Sequence, residues 1–179
     1  SQFVLVPDQF VPAPDQFVFT ANGRQCIAAA LAAVVPAGGR CGVEALTYPF
    51  IKDIAARLGV TLVPLAMDEQ GVRPDAVQKA HREAHLTALY IQPTIQNPLG
   101  MTMPAARRAD LLRVVEKLGL IVIEDTVYGF LDEGTPMAAL APEVLCPGRG
   151  LPIVGAERVH TALVDTAELL ESLHDQTLA

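Results

Sequence analysis

The stretch LIVIEDTVYGFL, residues 120–131, decides the fold. Its first part, LIVIE at 120–124, is a run of branched apolar residues without polar alternation. Such a run reads as a strand buried on both faces, the pattern of a parallel sheet. It ends abruptly in two carboxylates, Glu124 and Asp125, and Tyr128 follows three residues after the second. Asp125 therefore falls just past the carboxyl end of a buried strand. Glu124 is its immediate neighbour, projects to the opposite side and is left out of the candidate site. A carboxylate in such a place needs a partner, or its pKa rises. Two accounts fit Asp125: a hydrogen-bonded strand-end or helix-capping acid, or an acid paired with a cationic ring nitrogen.

Working outward, strands and helices alternate. RQCIAAALAAVV, 24–35, reads as a helix rich in Ala and Leu, and CGVEAL, 41–46, as a short strand. FIKDIAARLG, 50–59, is an amphipathic helix closed by Gly59, and TLVPL, 61–65, a strand. Pro74 opens a helix that runs to His85, and TALYIQ, 87–92, is a buried strand. Pro104 opens a further helix to Lys117, closed by Gly119. This alternation predicts βαβ units: an α/β three-layer sandwich around a mostly parallel sheet. Ligands of such sheets collect at the carboxyl ends of the strands. TYP after CGVEAL, QPTIQNPLG after TALYIQ and Asp125 after LIVIE are therefore expected on one edge.

The chain has 179 residues, 51% of them hydrophobic, enough for a sizeable core. Aromatics make up only 5% and Trp is absent, so core volume falls to Leu, Val, Ile and Ala. A net charge of −7 speaks against nucleic-acid binding through this segment, which begins with neutralising phosphates. It suits a cytoplasmic enzyme or a small-molecule binding domain. Cys26, Cys41 and Cys146 have no paired spacing, which argues against a disulfide framework or a zinc site. They read as reduced, small apolar residues. No stretch approaches the roughly 20 apolar residues of a membrane span, and no signal peptide is read at the N-terminus.

Several motifs admit two readings. In TANGRQ, 20–25, Thr20 or Asn22 caps the helix that follows. Either nothing more happens there, or the N–H groups of Gly23, Arg24 and Gln25 receive an anion such as phosphate. QNPLG, 96–100, is turn chemistry, or a turn that holds the Asn97 amide over the sheet edge. Tyr48 is a packing aromatic or a flat surface for a stacked ring. HREAH sets His81 and His85 four apart on a helix. The order is not that of a zinc helix and no third ligand is evident, so no metal site is assigned.

Taken together and in this order, TANGRQ, EALTYP, QPTIQNPLG and EDTVYGFL resemble the fold-type-I pyridoxal-phosphate proteins. The nearest likeness is to the aminotransferase-like domain of MocR-type (GntR family) transcriptional regulators. The resemblance covers residues 15–143 and implies a partial large domain of the fold-type-I transferase fold. It implies pyridoxal 5'-phosphate as cofactor, with Gly23, Arg24 and Gln25 at its phosphate. Tyr48 matches the aromatic stacked on the ring, Asn97 and Tyr128 the ligands of its phenolic oxygen, and Asp125 the carboxylate on the pyridine nitrogen. An amino acid as further ligand and a homodimer are implied as well.

The resemblance has an edge. The family's Schiff-base lysine lies beyond the tyrosine in a Ser-x-Ser-Lys-like motif, whereas Lys52, Lys79 and Lys117 all precede Tyr128. No catalytic residue is therefore assigned, and no transamination is expected from this chain alone. The expected organisation is a repetitive, Pro-containing lead-in at 1–19, where QFV recurs every seven residues. A partial aminotransferase-like large domain at 20–143 follows. A divergent tail at 144–179 contains GRGLPIVG as a loop and a terminal helix in TALVDTAELLESLHD. The wording favours the sensing domain of a regulator, with a fragment of a free-standing amino-acid aminotransferase as the alternative. A third possibility is a fragment without function.

Overall fold

A computed structural model describes residues 20–131, Met137 and residues 144–145. The QFV repeats, Cys146, GRGLPIVG and the expected terminal helix lie outside the described residues.

The elements run α1 (Gly23–Val34), β1 (Arg40–Glu44), α2 (Phe50–Arg57), β2 (Thr61–Leu65), β3 (Met67–Asp68), β4 (Gly71–Val72), α3 (Pro74–Ala84), β5 (Ala88–Ile91), α4 (Ala105–Leu118), β6 (Ile121–Glu124) and β7 (Val144–Leu145). The main sheet is parallel, in the order β2-β1-β5-β6-β7. The sheet starts one strand in from its edge with β1, steps out to β2, returns across β1 to β5 and continues outward. The direction of winding reverses between β1 and β5, and the crevice of an open parallel sheet forms at such a reversal.

The layers follow from strand alternation. In β5, Ala88 and Tyr90 face α1 and α2, while Leu89 and Ile91 face α3 and α4. In β6, Ile121 and Ile123 take the first side and Val122 the second. Both strands are buried throughout, as their unbroken apolar runs require. The result is the expected three-layer sandwich with a core on each face of the sheet. Pro64 is tolerated in β2 because β2 is the edge strand of the sheet. Gly42 is needed in β1: a Cβ there would stand 2.7 Å from Leu89 Cδ2 and 3.1 Å from Leu65 Cδ1.

Helix ends match the local chemistry. Asn22 caps α1, accepting the Gln25 N–H on its side-chain oxygen at 3.1 Å. Gly119 closes α4 at φ 63°, a left-handed conformation that costs glycine little. The sequence reading had no counterpart for the small antiparallel hairpin β3–β4. Asp68 in that hairpin receives both guanidinium nitrogens of Arg107 from α4, at 3.0 and 2.8 Å. The pairing that fixes it is 39 residues distant, beyond the reach of local pattern. Among the described residues no helix is long and apolar enough to cross a membrane. Cys26 and Cys41 are free thiols in the interior.

Candidate functional site

Four chain segments converge at the carboxyl edge of the sheet: the start of α1 and the loops after β1, β5 and β6. They enclose a cavity of about 430 Å³. Six of the seven candidate cofactor residues line it: Gly23, Arg24, Tyr48, Asn97, Asp125 and Tyr128. Gln25 does not. Its N–H is taken by Asn22, and its side-chain oxygen accepts the Ala21 N–H at 3.1 Å. Gln25 is thus spent on the cap and on the residue before it, which leaves Gly23 and Arg24 at the cavity wall. Helix geometry provides no internal acceptor for the N–H groups of those two residues. A Cβ on Gly23 would meet nothing within 4 Å, so the helix start is open.

Asp125 is 4% exposed and held from two sides. Oδ2 accepts the Tyr90 O–H at 2.6 Å, and Oδ1 accepts the Val127 N–H at 3.0 Å. The Gln92 side chain adds a further hydrogen bond. Burial pushes the Asp125 carboxyl above its ordinary range, and these hydrogen bonds counter the push only in part. Tyr90 stays protonated: burial, then the Asp125 charge, drive its phenol well above the usual range. Glu124 points elsewhere, as strand alternation requires, and its Oε1 accepts the Met137 N–H at 3.1 Å.

The loop after β5 is tied down by side chains. Gln92 Oε1 accepts the Asn97 N–H at 3.2 Å, and the Asn97–Pro98 peptide is cis. Gln96 Nε2 donates to Glu44 Oε2 at 3.0 Å and to the Leu46 carbonyl at 2.6 Å. From below, Arg108 donates to the carbonyls of Met103 and Pro93 and to Thr94 Oγ1, at 2.9, 3.2 and 2.9 Å. Arg108 is 4% exposed, so this clamp works in a dry setting where hydrogen bonds to a cation are strong. Glu44 ends β1 as Asp125 follows β6. It accepts the Gln92 N–H at 3.2 Å, and burial pushes its carboxyl up to about 7 against the Gln96 and Gln92 bonds.

At the rim, the Tyr48 ring lies 5.5 Å from that of Phe50, and the Arg24 guanidinium sits 4.0 Å over the Phe50 ring. The sequence reading passed over Tyr90, Gln92, Glu44, Gln96 and Arg108. Two of them carried a signal. Glu44 is a carboxylate ending an apolar strand, the very feature that marked Asp125. Tyr90 is the lone phenol in an aliphatic strand. His81 stands on α3 and His85 just past its end, as the left-handed C-cap at φ 49°, with ring centroids 6.4 Å apart. Among the described residues no three His, Cys, Asp or Glu side chains gather as metal ligands.

The arrangement offers helix N–H groups for an anion, an aromatic face, an amide, a phenol and a buried carboxylate around one space. Comparison with solved structures places the fold. A crystal structure of an archaeal alanine:glyoxylate aminotransferase superposes with a TM-score of 0.76 at 25% identity, over 86% of this chain and 44% of that one. LysN, the α-aminoadipate aminotransferase of Thermus thermophilus, crystallised with N-(5'-phosphopyridoxyl)-L-leucine, gives 0.73 at 24% identity, over 85% and 44%. The architecture is therefore a partial large domain of the fold-type-I transferase fold.

The chain belongs to the aminotransferase class I and II family, whose pattern it matches over residues 9–166. That match extends past both ends of the stretch 15–143 on which the resemblance was read. The uncharacterised HTH-type transcriptional regulator YdeF of Bacillus subtilis is 34% identical over 124 residues, 69% of this chain and 27% of YdeF. An aromatic amino acid aminotransferase of Schizosaccharomyces pombe is 36% identical over 95 residues, 50% of this chain and 20% of the enzyme. The chain thus spans about a quarter of the length of these relatives.

Proposed function

We propose that the cavity holds pyridoxal 5'-phosphate and that the chain is the effector-sensing domain of a MocR-type regulator. The observation that carries the reading is the convergence of five kinds of group on one cavity of about 430 Å³. Each group suits one part of the cofactor. The N–H groups of Gly23 and Arg24 suit the phosphate, as helix starts do in general. Tyr48 suits the ring face, and Asn97 with Tyr128 the phenolic oxygen. Asp125 suits the ring nitrogen, and its burial gives a protonated nitrogen good reason to bind there. When bound, the cofactor supplies an electron-withdrawing ring, and the protein's share is to orient that ring and keep its nitrogen protonated.

The regulator reading is supported by relatives such as YdeF and the HTH-type regulator YjiR of Escherichia coli. The effector we propose is an amino acid, acting in the cytoplasm on a homodimer. The free-standing aminotransferase reading is supported by the aromatic amino acid aminotransferases among the relatives. No lysine stands among the cavity residues or after Tyr128. The domain boundaries read from the sequence are 20–143 for the large domain, with 1–19 and 144–179 flanking it; β7 belongs to its sheet, so the proposed domain runs at least to Leu145.

Calorimetric titration with pyridoxal 5'-phosphate tests the reading. Saturable one-to-one binding that Asp125→Asn weakens is expected, and absence of binding refutes it. Borohydride treatment of the mixture, followed by mass determination, is expected to leave the chain unmodified. A stoichiometric adduct on one lysine, or turnover of an amino acid with a 2-oxo acid, favours the enzyme.

A further inference from the structure

We propose that Tyr90 is a positioning residue for Asp125: its phenol O–H holds the carboxylate ionised and aimed into the cavity. The inference deepens the proposed function, on which its cofactor arm rests, but the state of Asp125 can be read without any cofactor.

Three observations carry it. The first is register. Tyr90 pairs with Ile123 across β5 and β6, and Asp125 lies two residues past Ile123, so phenol and carboxylate emerge on the same face of the sheet. The second is distance. The 2.6 Å between Tyr90 Oη and Asp125 Oδ2 falls in the range of hydrogen bonds to an ionised oxygen. The third is surroundings. Tyr90 is fully buried at 0% exposure and Asp125 is 4% exposed, and among the described residues no ion pair includes Asp125. Glu44 from β1 and Cys26 from α1 face the same region, and Tyr48 faces Tyr90. Arg24 and Tyr128 line the cavity with Asp125. In this setting an ionised carboxylate depends on its donors, and the Tyr90 O–H at 2.6 Å is shorter than the Val127 N–H at 3.0 Å; the Gln92 side chain is the third donor.

The consequence is directional. A carboxylate has about four lone-pair sites. Tyr90 and the Val127 N–H occupy one on each oxygen and the Gln92 side chain takes a third, which fixes the rotamer and leaves one for a ring N–H. Without the phenol O–H, Asp125 takes up a proton more readily. A protonated acid no longer favours a protonated ring nitrogen.

The experiment is a pH titration of the full chain labelled with 13Cγ-aspartate, followed by NMR, with Asp125→Asn identifying the resonance. Tyr90→Phe keeps the ring and removes only the hydroxyl. It is expected to raise the Asp125 midpoint by about one pH unit, a tenfold gain in proton affinity. Fluorotyrosine at position 90, a stronger donor of unchanged shape, is expected to lower the midpoint, and it serves even where Tyr90→Phe folds poorly. Midpoints unmoved by both changes overturn the proposal. In the cofactor arm, Tyr90→Phe is expected to weaken pyridoxal 5'-phosphate about tenfold in the native background. In the Asp125→Asn background it is expected to have no effect. Equal losses in both backgrounds mean that Tyr90 merely packs, and overturn the proposal too. If the native chain fails to bind the cofactor, the proposed function falls while the carboxyl titration still decides the role of Tyr90.

Discussion

Glu44→Gln is expected to make the protein more stable above neutral pH and to abolish most of its loss of stability between about pH 5 and pH 8. Glu44 is 1% exposed, and its carboxyl is pushed from 4.5 up to about 7, chiefly by burial. The folded value lies above the unfolded one. Between the two, the native state holds a proton that the unfolded chain has released, so stability falls as pH rises through this window and levels off above it. At about 1.4 kcal/mol per unit, the ionised side chain costs the native state roughly 3 kcal/mol, of which roughly 2–3 kcal/mol develops between pH 5 and pH 8. Glutamine has nearly the same shape. Its single oxygen can accept both the Gln92 N–H and the Gln96 Nε2 donor, which meet one oxygen, Oε2, in the native side chain. Asp125 is shifted in the same direction and its charge adds to the Glu44 shift, so part of the slope survives in the variant. Asp68 is shifted the opposite way, by Arg107 first of all. It loses stability only as pH falls, and cancels in the comparison. The assay is urea unfolding followed by far-UV circular dichroism, for both proteins at both pH values. Parallel pH dependences in the two proteins would refute the reasoning.

Three further outcomes are expected. Gly42→Ala forces a methyl against Leu89 and Leu65 in a packed core and is expected to cost about 1–3 kcal/mol, read from the urea midpoint. Arg108→Met removes the cation that gathers Pro93, Thr94 and Met103. A loss of about 3 kcal/mol or more is expected, with limited proteolysis moving to residues 93–103. Asn22→Ala removes the side-chain cap of α1 and is expected to cost about 1 kcal/mol, and to loosen the helix start at the cavity enough to weaken pyridoxal 5'-phosphate.

Much of the fold was legible because its signals are local. Asn22, Gly59, Pro74 and Gly119 mark helix ends through the conformations of single residues. The unbroken apolar runs of β5 and β6 announce strands buried on both faces. The rule that ligands sit past the carboxyl ends of parallel strands then brought Tyr48, Asn97 and Asp125 toward one edge without coordinates. The helix start was legible too, though not in detail. Gln25 was grouped with Gly23 and Arg24, yet its N–H and side chain complete the cap and it stays out of the cavity wall.

What sequence alone determined, then, is the alternation of elements, their ends, and the set of polar groups at one sheet edge. Periodicity and capping act over a few residues and can be read without knowing the fold. Tertiary structure alone decided which groups meet. Tyr90 reaches Asp125 across 35 residues, the Gln92 N–H reaches Glu44 across 48, and Gln96 reaches Glu44 across 52. These contacts exist because β5 lies between β1 and β6 in one register. Strand order depends on which helices cover which face, a property of the whole core. The linear pattern pointed to a raised pKa for an acid ending a buried strand, but only the fold showed that Glu44 shares it with Asp125 and that a phenol and two glutamines hold the pair.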